Sequence, residues 1–135
     1  MGVQYLLDTD ICIYIHRNRP ERVARRFASV AAGELAISVI TFGELLCGAL
    51  KNAQTAMILR QLNEFVVFAP VLALPARAAE FYGTIRAELE GSGTVIDNND
   101  MWIAAHAKAE GLTLVTNNEK EFRRVRGLRV QNWVL

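Results

Sequence analysis

The sequence predicts an α/β fold, a three-layer domain whose short, mainly parallel central sheet is flanked by helices. Three observations carry that expectation. Short apolar runs at residues 3–7, 35–38 and 113–116 have the length of buried strands. Longer segments between them repeat their apolar residues at helical spacing. Acidic residues stand just past the ends of those runs, and parallel sheets build their sites at the carboxyl ends of the strands.

Taken in order, the first strand, 3–7, ends at Asp8. A short helix over 11–15 follows and stops near Pro20. The next helix, about 20–32, puts Val23, Phe27 and Val30 on one face and closes at Gly33. After the second strand, a helix from about Thr41 aligns Phe42, Leu45, Leu46 and Ala49. A further helix over 54–68 turns Ile58, Leu59, Leu62, Phe65 and Val66 inward. Pro70 and Pro75 bracket an extended piece. Ala78, Phe81, Tyr82, Ile85 and Leu89 mark an amphipathic helix ending at Gly91-Ser92-Gly93. Residues 101–109 are apolar almost all round, as in a helix buried mid-fold. After the third strand come a short helix with Glu121 and Phe122, then an edge strand over 129–133.

Composition bounds the function. At 135 residues, with 52% hydrophobic and 21% charged residues, the chain reads as one globular domain over 1–135. No apolar run approaches the roughly 20 residues of a membrane span. The first residues do not pattern as a secretory signal, and Leu6 stands where a myristoylation motif has Ser or Thr. The expected location is the cytoplasm. Cys12 and Cys47 read as buried small hydrophobes rather than zinc ligands, because no further sulfur or histidine stands at ligand spacing.

Net charge is only +1, yet it is unevenly spread. Residues 1–26 and 119–135 are basic, through arginines 17, 19, 22, 25 and 26 at one end and 123, 124, 126 and 129 at the other. The middle is acidic. Such a layout suits a polyanion gripped at the rim and cut at a central metal, although solvated helix faces carry similar charge.

Each acid also has a purely structural reading. Asp8 suits the cap of the helix after it. Thr41–Glu44 and Thr116–Glu119 both fit capping boxes. Asp100 sits in a helix's first turn, where the macrodipole favours negative charge. Converging at one sheet edge, however, carboxylates raise one another's pKa and call for cations. Their oxygens suit Mg²⁺ or Mn²⁺, which can activate water and neutralise a leaving oxygen. His16 and His106, both on helices, provide poorly for a Ser-His-Asp or Cys-His mechanism.

The segments LLDTDICIY, SVITFGELLCGA, NNDMWIAAHA and LVTNNEKEF, followed by GLRVQNW, resemble the successive motifs of PIN-domain ribonucleases, and most closely the VapC toxins of bacterial toxin–antitoxin pairs. The resemblance covers nearly the whole chain in order. It implies an endoribonuclease dependent on Mg²⁺ or Mn²⁺, acting on RNA such as tRNA and held inactive by a VapB-type antitoxin. It also implies a homodimer and an apolar groove for a partner helix. By it, Asp8, Glu44 and Asp100 are the catalytic and metal-binding acids. Glu121 is nominated as the fourth, with Thr116 and Asn118 as polar neighbours. Arg17, Arg19 and Arg86 are candidates for gripping RNA phosphates.

Two residues depart from the family pattern. Asp10 stands where Asn is usual, and reads as a local hydrogen-bond acceptor. Asp97 stands where Gly is common, either as an outer-shell metal ligand or as an ordinary loop residue. A glycine-favouring backbone there would shift the loop. Two competing readings remain open. Asp8-x-Asp10 after an apolar strand resembles haloacid-dehalogenase-type phosphatases, although Cys12 stands where that family has Thr or Val. The alternative outside enzymology is a non-catalytic RNA- or protein-binding module on the same fold.

Overall fold

The chain is described from a computed structural model, which covers residues 2–31 and 33–135. In order the elements are β1 (Tyr5–Leu7), α1 (Thr9–Arg17), α2 (Glu21–Ser29), β2 (Leu35–Ser38), α3 (Val39–Leu50) and α4 (Thr55–Phe68). They continue with β3 (Val71–Leu72), α5 (Ala78–Gly91), α6 (Asn98–Glu110), β4 (Thr113–Val115), α7 (Glu119–Phe122) and β5 (Val130–Gln131).

The sheet runs β3-β2-β1-β4-β5, and every neighbouring pair is parallel. Each crossover is helical, as parallel pairing requires. From β1 the chain builds outward through β2 to β3, then crosses back to place β4 on the other side of β1. The order therefore reverses between β1 and β4, and a reversal of this kind opens a crevice at the carboxyl edge.

Alternation along the strands divides the core into two layers. Leu6, Ala36 and Leu114 face one way and pack with Ile85, Leu89, Ile103 and Phe122 of α5, α6 and α7. Leu7, Ile37 and Val115 face the other way and pack with Ile11, Ile15 and Val23 of α1 and α2, with Phe65 of α4 against them. Helix α6 is buried on nearly every side, from Met101 to Ala107. Gly111 closes it at φ +69°, the left-handed conformation glycine adopts without a Cβ penalty.

Several boundaries differ from the sequence expectation, α1 and α6 among them, which run longer, over Thr9–Arg17 and Asn98–Glu110. α2 ends at Ser29, where Val30 turns extended and Ser29 Oγ donates to the Arg26 carbonyl. The expected end falls on Ala32, outside the described residues. α3 begins at Val39 rather than near Thr41, because β2 passes into it without a loop and Ser38 Oγ caps the Ile40 N–H at 3.1 Å. The edge strands β3 and β5 are two residues each, shorter than the extended segments expected. One cysteine also departs from its reading: Cys12 is buried, but Cys47 lies on the exposed face of α3. Among the described residues no helix is long and apolar enough to cross a membrane.

Candidate active site

Asp8 is the first residue after β1 and Thr116 the first after β4, so the crevice opens between them. Only 5% of Asp8 is exposed. Its Oδ1 accepts from the Thr9 N–H at 2.9 Å, so it does cap α1. Its Oδ2 accepts from the Thr116 hydroxyl at 2.8 Å. Thr116 Oγ1 in turn accepts from the Asn118 N–H at 2.9 Å, which fixes the start of α7. The expected Thr116–Glu119 capping box does not form, because Glu119 pairs with Arg123 one turn along at 3.0 Å.

Glu44 also escapes its capping reading. With α3 starting at Val39, Glu44 lies beyond the first turn. Its carboxylate instead accepts from the Thr9 hydroxyl at 2.6 Å and from Asn99 Nδ2 at 3.3 Å. It thus spans α1 and α6 over the crevice. Asp100 follows Asn99 in the first turn of α6. On the β4 side, Glu121 Oε2 accepts from Asn118 Nδ2 at 3.1 Å.

The two extra aspartates lie among these groups. Asp10 Oδ2 accepts from the Asn117 N–H at 3.1 Å, so it is an acceptor as expected, but its partner comes from the far end of the chain rather than from its own turn. Its Oδ1 is buried with no hydrogen-bond partner among the described residues. Asp97 caps α6, its Oδ2 accepting from the Asn99 N–H at 3.1 Å. Its φ of −55° is open to any residue, so aspartate there imposes no loop shift.

Electrostatics brings the acids into one group. Burial first, then the charge of Asp10 and more weakly that of Asp100, push Asp8 up to about 7. Burial also pushes Asp100 up to about 7, followed by the charges of Asp97, Glu44, Glu121 and Asp10. Asp10 is raised too, mainly by burial. The Cys12 thiol behind them is driven well above its ordinary value by burial and by Asp8 and Asp10, which leaves it inert.

A divalent cation suits this donor set. The donors are all carboxylate oxygens, one buried oxygen lacks a partner, and a cation would relieve the crowding of like charges. Among the described residues no three acidic, histidine or cysteine side chains already stand at the spacing that would ligate one ion. Thr9, Thr116, Asn99 and Asn118 hold the carboxylates at their separate stations.

The remaining nominees lie outside the crevice. Arg17 lines a groove of about 300 Å³ between α1, α3 and α4, together with Thr9, Glu44, Leu45 and Phe65. Arg19 is exposed beyond α1. Arg86 donates to Glu90 at 3.0 Å and to the Tyr82 hydroxyl at 2.8 Å, and Tyr82 bonds Asn98 at the start of α6. His16 is exposed, while His106 is fully buried with Nδ1 2.8 Å from Ser38 Oγ. Thr9 and Asn99 were missed in the sequence, although each adjoins an acid in the chain. The phosphatase reading asks Asp10 to act as a proton donor, whereas here Asp10 is held by the Asn117 amide.

Comparison with known proteins agrees with this layout. The PIN domain family model matches residues 5–128. Ribonuclease VapC2 of Haemophilus influenzae is 41% identical over 132 residues, which are 98% of this chain and 99% of that protein. The tRNA(fMet)-specific endonuclease VapC of Shigella flexneri is 41% identical over 131 residues, 97% and 98% of the two chains. The solved VapBC-1 structure from nontypeable Haemophilus influenzae superposes with a TM-score of 0.91 at 34% identity, covering 98% of this chain and 100% of that one. With the family model matching residues 5–128 and a curated relative 41% identical across 98% of the chain, this chain belongs to the PIN-domain family and, within it, to the VapC ribonucleases.

Proposed function

We propose that this chain is a cytoplasmic endoribonuclease toxin that hydrolyses RNA phosphodiester bonds with Mg²⁺ or Mn²⁺. The observation that carries the reading is the gathering of acids at the carboxyl edge of the sheet. Buried Asp8 is held by Thr116, Glu44 bridges Thr9 and Asn99, and Asp100 lies in the first turn of α6, with burial and neighbouring charge pushing Asp8 and Asp100 up to about 7. A helix cap alone needs no such gathering of acids, which favours a catalytic role. The Shigella relative's name makes tRNA the substrate class to try first.

Asp8, Glu44 and Asp100 are the residues that would hold the metal, and Glu121 completes the acidic ring. A divalent ion bound there supplies Lewis acidity, lowering the pKa of a water and offsetting charge on the phosphate. The Thr116 hydroxyl fixes one Asp8 oxygen, and Thr9 and Asn99 set the angle of Glu44. Asp10 and Asp97 add negative charge around the site without lying at a sheet-to-helix junction of their own. Arg17, Arg19 and Arg86 would meet phosphates farther along the RNA.

A VapB-type antitoxin is the expected partner, since the VapBC-1 structure is a close neighbour. The groove between α1, α3 and α4 supports this, because its apolar walls of Leu45, Leu62 and Phe65 continue directly to Glu44. A helix seated there would reach the acids. A homodimer is the expected assembly. The test is cleavage of a tRNA pool by purified protein with Mg²⁺, with Mn²⁺ and with EDTA. Cleavage restored by either metal and abolished by EDTA is expected; cleavage that persists in EDTA contradicts the metal assignment.

A further inference from the structure

The two basic segments of the chain meet in space. Arg22, Arg25 and Arg26 of α2 line one wall of a groove of about 860 Å³, with Arg123 and Asn132 on the other. Glu119 is the one acidic side chain among the described lining residues, and it is already paired with Arg123. Arg22, Arg25 and Arg26 make no ion pair among the described residues. The Arg26 guanidinium lies over the Trp133 and Tyr5 rings, 5.4 Å and 6.0 Å from their centroids. Aromatic faces therefore orient Arg26 while its N–H donors stay free of any carboxylate.

The groove is connected to the acids. Asn132 Nδ2 donates to Asn117 Oδ1 at 3.2 Å, and the Asn117 N–H donates to Asp10 at 3.1 Å. Thr116, the next residue back, holds Asp8. The loop between β4 and α7 thus touches Asn132 of the groove on one side and Asp10 and Asp8 on the other.

We propose that this groove holds the phosphates of the RNA strand flanking the scissile bond, an inference that rests on the nuclease reading above. Planar guanidiniums match phosphate oxygens in pairs, and three of them rise along one face of α2 at positions i, i+3 and i+4. Trp133, only 4% exposed, lies beneath Arg26 and offers no aromatic pocket to a peptide side chain. Positive charge beside an acidic crevice also gives the RNA a direction of approach, since it attracts the backbone that the acids repel.

The test is binding of a fluorescein-labelled stem-loop RNA in EDTA, followed by anisotropy across a salt series. The proteins compared are wild type, Arg22→Ala/Arg25→Ala and Arg22→Lys/Arg25→Lys. The alanine variant is expected to bind roughly tenfold more weakly at low salt, and its slope of log affinity against log salt should fall by about two. The lysine variant should keep the wild-type slope, and thermal melts that coincide for all three would assign the loss to contact rather than folding. Alanine-variant affinity and slope equal to wild type overturn the groove and leave the nuclease reading standing. Failure of the wild type to cleave a tRNA pool in either Mg²⁺ or Mn²⁺ overturns both.

Discussion

His106 Nδ1 lies 2.8 Å from Ser38 Oγ, and this buried contact ties the helix that carries Asp100 to the cap of the helix that carries Glu44. Ser38 is the last residue of β2, so sheet, α3 and α6 meet at one hydroxyl. Burial pushes the His106 imidazole below its ordinary pKa, which keeps it neutral and suited to a hydroxyl partner.

Ser38→Ala removes both the α3 cap and the histidine's partner. It is expected to cost about 1–3 kcal/mol of folding stability, the range for a lost cap and a stranded buried group. Urea denaturation checks this. Activity is also expected to fall by more than the unfolded fraction explains, because Glu44 and Asp100 lose a shared brace.

Thr116→Val keeps the shape of the β4 terminus and removes the hydroxyl that Asp8 accepts. Groups that orient a metal's ligands are worth about 10- to 100-fold in affinity or activity. A fall of that size is expected in Mn²⁺ affinity measured by calorimetry. An unchanged affinity would leave Asp8 oriented by Thr9 alone.

Asp8 and Asp100 rise from 3.8 to about 7 on folding, so between those values the folded chain holds protons that the unfolded chain has released. That contribution to stability is complete below the unfolded value and is lost as pH rises through about 7. In EDTA the melting temperature is therefore expected to fall from about pH 5 to about pH 8. Saturating Mg²⁺ should recover part of the loss at the upper end. Asp100→Asn should flatten the profile, with a gain on the order of 1 kcal/mol for the metal-free protein at the higher pH.

Asp97→Asn retains a good helix cap while removing the charge that, after burial, most raises Asp100. Folding stability is expected to hold or rise slightly in EDTA, and Mn²⁺ binding to weaken only a few-fold. A loss as large as that of Asp100→Asn would move Asp97 into the direct ligand set. Parallel titrations of the two variants decide it.

The inner sheet was legible because β1, β2 and β4 are apolar on both faces, as strands buried between two helical layers must be. The start of α3 was not, because Ser38 closes the strand and caps the helix with no turn residues between. Asp8 and Asp100 stood out through their positions after a strand and at a helix start. Thr9 and Asn99 did not, because their contacts with Glu44 join residues 35 and 55 positions apart. The basic ends of the chain were visible as composition. Their meeting at the α2 groove depends on β5 lying beside β4, which no local pattern encodes.

Asp8, Glu44 and Asp100 are proposed to work together as a metal-dependent cutting centre. Cleavage of tRNA by the Asp100→Asn variant in Mg²⁺, beside wild type at equal folded concentration, tests it most directly. The variant is expected to lose at least about 100-fold in rate, in keeping with losses seen on removing single preorganised catalytic groups. Cleavage at the wild-type rate would contradict this and leave Asp100 with no part in the reaction.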